Sequence, residues 1–358
     1  MGYAGHCHLT CVILFIQLNQ LNMNLFYMHR CSSAAVNATA SLLTYRKAKT
    51  RMLFSLMIFL SVASNAQTDI DALMMKKNEL CAGMMYTTSS WSTYWEGTLE
   101  RENKNLGTVS TNMLAAMGNF GVRKNVNLLF GIPYVETQAT GGTLKGFKGI
   151  QDLSLWAKWR ALHWTEGNNL ASLFALGGYS LPASSYVADY LPLSIGLRSK
   201  NVYLRGMTDL KYKTWFLTFS GTYIQRSNIT IDREAYYTTE MIYSNQVAMP
   251  DQTELNLRMG YRGKELIVEW ISDRITTLGG FDITRNNMPF PSNRMNMTRT
   301  GFQVRYEPKK LNGFTFYASA NKVIEGRNVG QSTSYAGGVF YILDFSKKQS
   351  ETTENTSK

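Results

Sequence analysis

Ionisable residues recur at alternate positions along this chain. Asp152, Lys158 and Arg160 share one face of a segment whose other face carries Leu153, Leu155, Ala157, Trp159 and Ala161. The same spacing sets Arg205, Asp209 and Lys211 on one side of their segment, and likewise Glu254 with Arg258, Glu269 with Asp273, and Arg305 with Glu307. Successive side chains of an extended chain point to opposite faces, so these charges line one side of a wall. Gathered charges of both signs can select among charged solutes passing over them. They can equally satisfy one another as cross-strand ion pairs in a filled interior, and the spacing leaves both readings open.

Other chemistries fit poorly. Glu269 and Asp273 lie four apart on one strand face, roughly 13 Å, beyond the separations that paired carboxylates use on glycosidic bonds. His163 is the only histidine after residue 66. Strand parity sets it outward with Trp159, with no nucleophile beside it, so no enzyme activity is expected. One histidine and Cys81 cannot furnish a transition-metal site, and Asp69 and Asp71 offer calcium only two acids. Gly141-Gly142 and Gly146-x2-Gly149 lack the following helix and the Lys-Ser/Thr of a phosphate loop, and read as a flexible extracellular loop. No cofactor or metal is expected.

The elements that must position the charges are strands. Period-2 alternation returns from about Leu80 to Phe345, the pattern of a transmembrane β-barrel. It predicts twelve strands at 81–96, 107–121, 126–138, 149–163, 169–182, 202–212, 215–231, 253–262, 265–277, 298–308, 313–324 and 334–345. Short connections (Val122 to Asn125, Trp164 to Asn168, Lys213-Thr214, Gly263-Lys264, Lys309 to Asn312) alternate strictly with longer ones, as periplasmic turns and extracellular loops would. Two long loops, 232–252 with Tyr236, Tyr237 and Tyr243, and 278–297, are candidate gates. Val202, Leu204, Leu210, Leu255, Leu257, Met259, Leu266, Val268, Trp270, Phe302, Val304 and Tyr306 would then face lipid. A soluble sandwich would turn that apolar face into its core, and alternation alone does not separate the two. Aromatics near strand ends (Trp159, Tyr212, Trp215, Tyr261, Phe345) favour the membrane, where they would form girdles.

Residues 1–66 hold five basic residues and no acid, so their removal takes the net charge from +12 to +7. Arg46, Lys47, Lys49 and Arg51 precede the apolar run Met52 to Ala63 and the small-residue site Ser64-Asn65-Ala66, the order of a secretory signal cleaved before Gln67. The expected organisation is an over-extended N-terminus at 1–45 with the true start at Met28 or Met52, a signal peptide at 46–66, a barrel at 67–345 and a charged flexible tail at 346–358. Cys7, Cys11 and Cys31 would leave with the signal, and with them the metal-like cluster of His6, Cys7, His8 and Cys11. After Ala66 no apolar run reaches the length of a helical span. Basic residues are scattered among acids, which argues against nucleic acid.

The stretch Gly146-Phe147-Lys148-Gly149-Ile150-Gln151-Asp152-Leu153-Ser154-Leu155-Trp156-Ala157-Lys158-Trp159 resembles the G-x-G-D-L-x-L-x-x-K-Y element of the outer-membrane family named for the meta-pathway of phenol degradation. Phe130-Gly131-Ile132-Pro133-Tyr134 resembles the x-x-x-P-Y strand that the family places upstream. Gln151 stands where the family usually has Gly, and the charged tail follows Phe345, where barrels often end on an aromatic residue. The resemblance implies passive passage of small, often apolar or aromatic compounds. The expectation is thus an all-β, single antiparallel barrel of about twelve strands in a Gram-negative outer membrane, porin-like in transport, with lipid, small solutes and the barrel-assembly machinery as partners. The alternative is a non-conducting scaffold whose long loops meet a surface partner.

Overall fold

Every regular element among the described residues is a strand. The computed structural model describes residues 71–284 and 288–346. The expected signal peptide, over-extended start and the tail beyond Ser346 lie outside them. Twelve strands form the wall: β1 (Glu79–Trp91), β2 (Val109–Arg123), β3 (Val126–Ala139), β4 (Asp152–Glu166), β5 (Asn169–Pro182), β6 (Asn201–Tyr212), β7 (Trp215–Arg226), β8 (Gln252–Arg262), β9 (Leu266–Thr277), β10 (Asn296–Tyr306), β11 (Phe314–Arg327) and β12 (Thr333–Asp344). Each pairs antiparallel with its sequence neighbour, and β1 also pairs with β12 from Glu79↔Asp344 to Ser90↔Thr333, which closes the sheet. Closure leaves no open edge.

The order and number of strands agree with the sequence pattern, while several ends move. The first strand stops at Trp91, and Thr93–Glu96 turns into a separate hairpin with Leu99–Glu102. The seventh stops at Arg226, beyond which Ile229–Thr230 pairs with Gln246–Val247 in the loop. Alternation continues through such loop hairpins, so periodicity alone could not mark where the wall ends.

One parity assignment is overturned. A bulge between Arg160 and Leu162 in β4 brings Leu162 opposite Leu173 and His163 opposite Ser172. The extra residue shifts every later side chain to the other face. His163 therefore shares the inner face with buried Ser172, and its Nδ1 lies 2.9 Å from the Ser172 hydroxyl. It does not face lipid, and it does have a hydroxyl beside it.

The burial pattern is that of an inside-out protein. Lys158 and Arg258 are among the most buried side chains, whereas Leu204, Phe302 and Trp215 are 62%, 63% and 65% exposed on the outside. A soluble sandwich would hide those apolar groups, so the greasy face is the lipid face. Tyr212, Trp215, Tyr261 and Phe345 all point outward near the rim of short turns, and Trp159 is exposed on the same outer face.

The stretch expected to be a flexible glycine loop is instead tied down. Lys148–Ile150 forms a short strand on β3, and the Thr137 amide donates to the Phe147 carbonyl at 2.8 Å.

Candidate functional site

The interior of the barrel contains a segment that does not belong to its wall. Asp71 to Asn78 precedes β1; Asp71, Ala72 and Met75 are buried within the lumen, and Lys76 and Lys77 emerge exposed at the rim. Asp71 is buried, and its carboxylate accepts from Lys158 Nζ of β4 at 3.3 Å and from Arg305 of β10 at 3.0 Å. β4 and β10 are six strands apart in either direction around the ring, so one carboxylate ties opposite walls together. Lys158 Nζ also donates to the Asp71 carbonyl. Ala72 packs in a cluster with Leu129, Trp156, Phe174, Leu176 and Met207, and Met75 packs with Cys81, Phe340 and Ile342. The Asn78 amide donates to the Gly121 carbonyl at 2.8 Å, where the absent side chain lets the segment lie directly on β2.

The opposite mouth is covered by the loop between β5 and β6. Leu193, wholly buried, clusters with Leu106 and Val109, and the Thr137 hydroxyl of β3 donates to the Leu193 carbonyl at 2.5 Å. Tyr186 clusters with Val135 of β3 and Ile195, and its hydroxyl donates to Asp152 at 2.5 Å. Burial, with the Asp152 carboxylate beside it, pushes the Tyr186 hydroxyl well above the ordinary tyrosine range. Loops 232–252 and 278–297, singled out as gates, lie against this cap. Tyr236 stacks on Phe290 with centroids 5.2 Å apart, and Ala188, Ile229, Val247 and Met249 close a shared cluster.

The charged inner residues named from the sequence are mostly buried and partnered. Arg205 donates to Thr222 at 2.7 Å and to Glu254 at 3.3 Å, with its guanidinium over the Trp156 ring at 4.8 Å. Asp209 accepts two hydrogen bonds from Arg262, at 3.0 and 3.2 Å, and one from Thr218 at 2.5 Å. Glu269 accepts from Arg258 at 3.1 Å and from Gln303 at 2.5 Å. Asp273 accepts from Arg299 at 2.7 Å and from Asn256. Glu307 follows the end of β10, two residues on from Arg305, and its amide donates to the Glu265 carbonyl at 2.7 Å. Arg160 donates to the Lys124 carbonyl at 3.3 Å at the rim, and Lys211 sits half-buried beside Asp209 and Arg262. Charges thus fall into separate clusters along the wall, with Asp71 joining two sides of it.

The sequence does not mark Asp71 as a lumen residue, the loop 183–200 as the cap, or Arg299 as an ion-pair partner; it sets Arg262 on the inner face without naming Asp209 as its partner. Arg262 was legible, because it continues the alternation of Glu254, Asn256 and Arg258. Asp71, weighed as a calcium ligand, spends its carboxylate on two cations instead. Asp69 lies outside the described residues.

A closed antiparallel wall, charged within and apolar without, with short turns at one rim and long loops at the other, defines a transmembrane β-barrel of the Gram-negative outer-membrane type. An outer-membrane channel from Pseudomonas putida F1 has a similar structure: TM-score 0.62 at 14% identity, over 78% of this chain and 100% of that one. The translocator domain of the autotransporter NalP from Neisseria meningitidis superposes with a TM-score of 0.37 at 11% identity, over 85% of this chain and 97% of that one. No family model and no curated protein matches the sequence.

Proposed function

We propose that the chain is an outer-membrane channel for passive passage of small solutes, plugged in this conformation at its short-turn end by its own segment Asp71–Asn78, with loop 183–200 over the other mouth. The observation that carries this reading is the Asp71 bridge. The closure precedes the wall rather than belonging to it, so all twelve strands keep their ladders if it leaves, and it is held by polar contacts that water or a solute can replace together with the small apolar contacts of Ala72 and Met75. Buried donors without a partner among the described residues, namely Arg258 Nε, Arg262 Nε, Arg226 Nη2 and Arg305 Nη1, also support a lumen that takes up water or solute. Asp152, Lys158, Arg160, Arg205, Asp209, Lys211, Glu254, Arg258, Glu269, Asp273, Arg305 and Glu307 are read as the solute pathway. The resemblance stated above makes small aromatic or apolar compounds the first to try.

We do not read the His163–Ser172 pair as catalytic. The inward acid on the next strand, Asp209, is opposite Ser172 but committed to Arg262 and Thr218. A second reading, a silent scaffold, draws on the outermost loop hairpin, where Tyr237 and Tyr243 are 53% and 86% exposed while Tyr236 is buried. The test is single-channel recording of refolded Gln67 to Lys358 in a planar bilayer, with phenolic solutes added. Stable steps blocked by a solute support the channel; a folded, heat-modifiable barrel that stays silent even as Asp71→Ala favours the scaffold.

A further inference from the structure

The rim of short turns is basic. Lys76, Lys77, Arg123, Lys124, Lys213, Lys264, Lys309 and Lys310 are all exposed there, against the acids Glu79, Glu166, Glu265, Glu307 and Asp344. Glu265 is already held by Lys309 at 2.5 Å, which lowers its carboxyl below the usual range. Backbone bonds place several of these cations side by side: the Lys213 amide donates to the Asn168 carbonyl at 3.0 Å, and the Arg262 amide to the Thr214 carbonyl at 2.6 Å. Lys213 and Lys264 therefore stand on adjoining turns.

Directly above them the outer wall is hollowed. Strand register puts Trp164, Ala171, Leu210 and Leu217 in one outward row across β4 to β7. The next row toward the rim holds Glu166, Asn169, Tyr212, Trp215 and Tyr261, so the one carboxylate of the row stands at its β4 end, three strands from Trp215. Ala171 is the low point, with Trp164 on one side and Tyr212 and Trp215 on the other, and the hollow has a volume of ≈ 490 Å³. Tyr212 lines the hollow, and the Lys213 ammonium lies 5.5 Å from the centre of its ring.

We propose that this hollow and the adjoining lysines form a binding site for an anionic phospholipid of the periplasmic leaflet, with an acyl chain over Ala171 and the phosphate beside Lys213 and Lys264. The outer wall is in contact with lipid by necessity, so the occupant is continuous with the membrane. Charge selects among lipids: a cation at the interface attracts anionic headgroups, and Trp and Tyr settle at headgroup depth. Lys213 extends its stem over Tyr212 while presenting its charge to water, as long basic side chains do at interfaces.

Native mass spectrometry of the refolded full chain, incubated with phosphatidylglycerol or phosphatidylcholine of identical chains, tests this. Phosphatidylglycerol is expected to be retained in preference. Neutralising a lysine, as Lys213→Gln or Lys264→Gln, should weaken retention by about fivefold each. Lys213→Arg should keep it, and Ala171→Trp, which fills the hollow, should remove it. Equal retention of the two lipids, indifference to Lys213→Gln, or a second copy of the chain in place of lipid would each overturn the proposal. If Ala171→Trp fails to fold, the turn variants, which leave the wall untouched, still decide.

Discussion

Asp71 and Arg305 are 234 positions apart in the chain and 3.0 Å apart in the lumen, while Lys158 holds the same carboxylate from the facing wall. Removing the carboxylate leaves two buried cations facing each other with their shared partner gone. Losing one partner of a buried ion pair costs about 3–5 kcal/mol. Release of the segment into water relieves part of that penalty. Asp71→Ala is therefore expected to raise open probability in bilayer recordings while the barrel remains heat-modifiable; unchanged conductance would show that the segment does not gate.

Gly121 offers an independent route to the same state. A methyl group there would collide with the carbonyl oxygen of Lys76, and backbone cannot swing aside as a side chain can. Gly121→Ala should lift the segment off β2 without altering any charge. Trypsin cleavage at Lys76 or Lys77 should then accelerate, together with conductance. Protection equal to the parent would count against close apposition.

Arg258 and Glu269 form a buried pair, with N and O 3.1 Å apart. Arg258→Met alone strands the carboxylate and should destabilise by about 3–5 kcal/mol, whereas Arg258→Met with Glu269→Leu should come much closer to the parent. Urea unfolding in micelles measures both. If the chain conducts, Arg258→Glu should also shift ion selectivity toward cations.

The loop after β9 carries an acid-sensitive anchor. Asp282 accepts from Arg327 at 2.7 and 2.6 Å and from Asn328 at 2.7 Å, and these contacts, Arg327 first, hold its carboxyl down at about 2. An acid whose pKa is depressed on folding contributes stability above its unfolded value of about 3.9, and loses it as the pH falls through the folded value. Pepsin should therefore spare the loop at about pH 4 and cut it as the pH approaches about 2. Asp282→Asn should be cut in both conditions, and equal resistance of the variant would refute the anchor.

Much of the wall was legible because a barrel strand has one period and two environments. Arg258 and Leu255, or Arg305 and Phe302, declare opposite faces wherever the alternation runs unbroken. The bulge at Ala161 was illegible, since one added residue resets parity without a turn residue to announce it, and His163 was misplaced for that reason. The Asp71–Asn78 segment was illegible for another. It contributes no strand to the wall and has no repeating pattern, and its partners are brought near only by closure of a ring whose strands pair locally. Which loop entered the mouth was hidden too, because Tyr and Asn content marks a loop without saying which way it folds. Loop 183–200 gave no compositional hint that Leu193 would be wholly buried.

The seam between β1 and β12 also imposes an order of assembly. Strands β2 to β11 can zip to their predecessors as hairpins, which are local contacts and quick to form. The seam joins the first strand to the last and must wait for Thr333–Asp344 to arrive. Asp71 meets both its cations only after the sheet has curled far enough to bring β4 and β10 face to face. A chain interrupted before β12 would therefore not be a narrower barrel. It would be a sheet with two raw edges and an unhoused leader, fit for aggregation or for degradation in the periplasm.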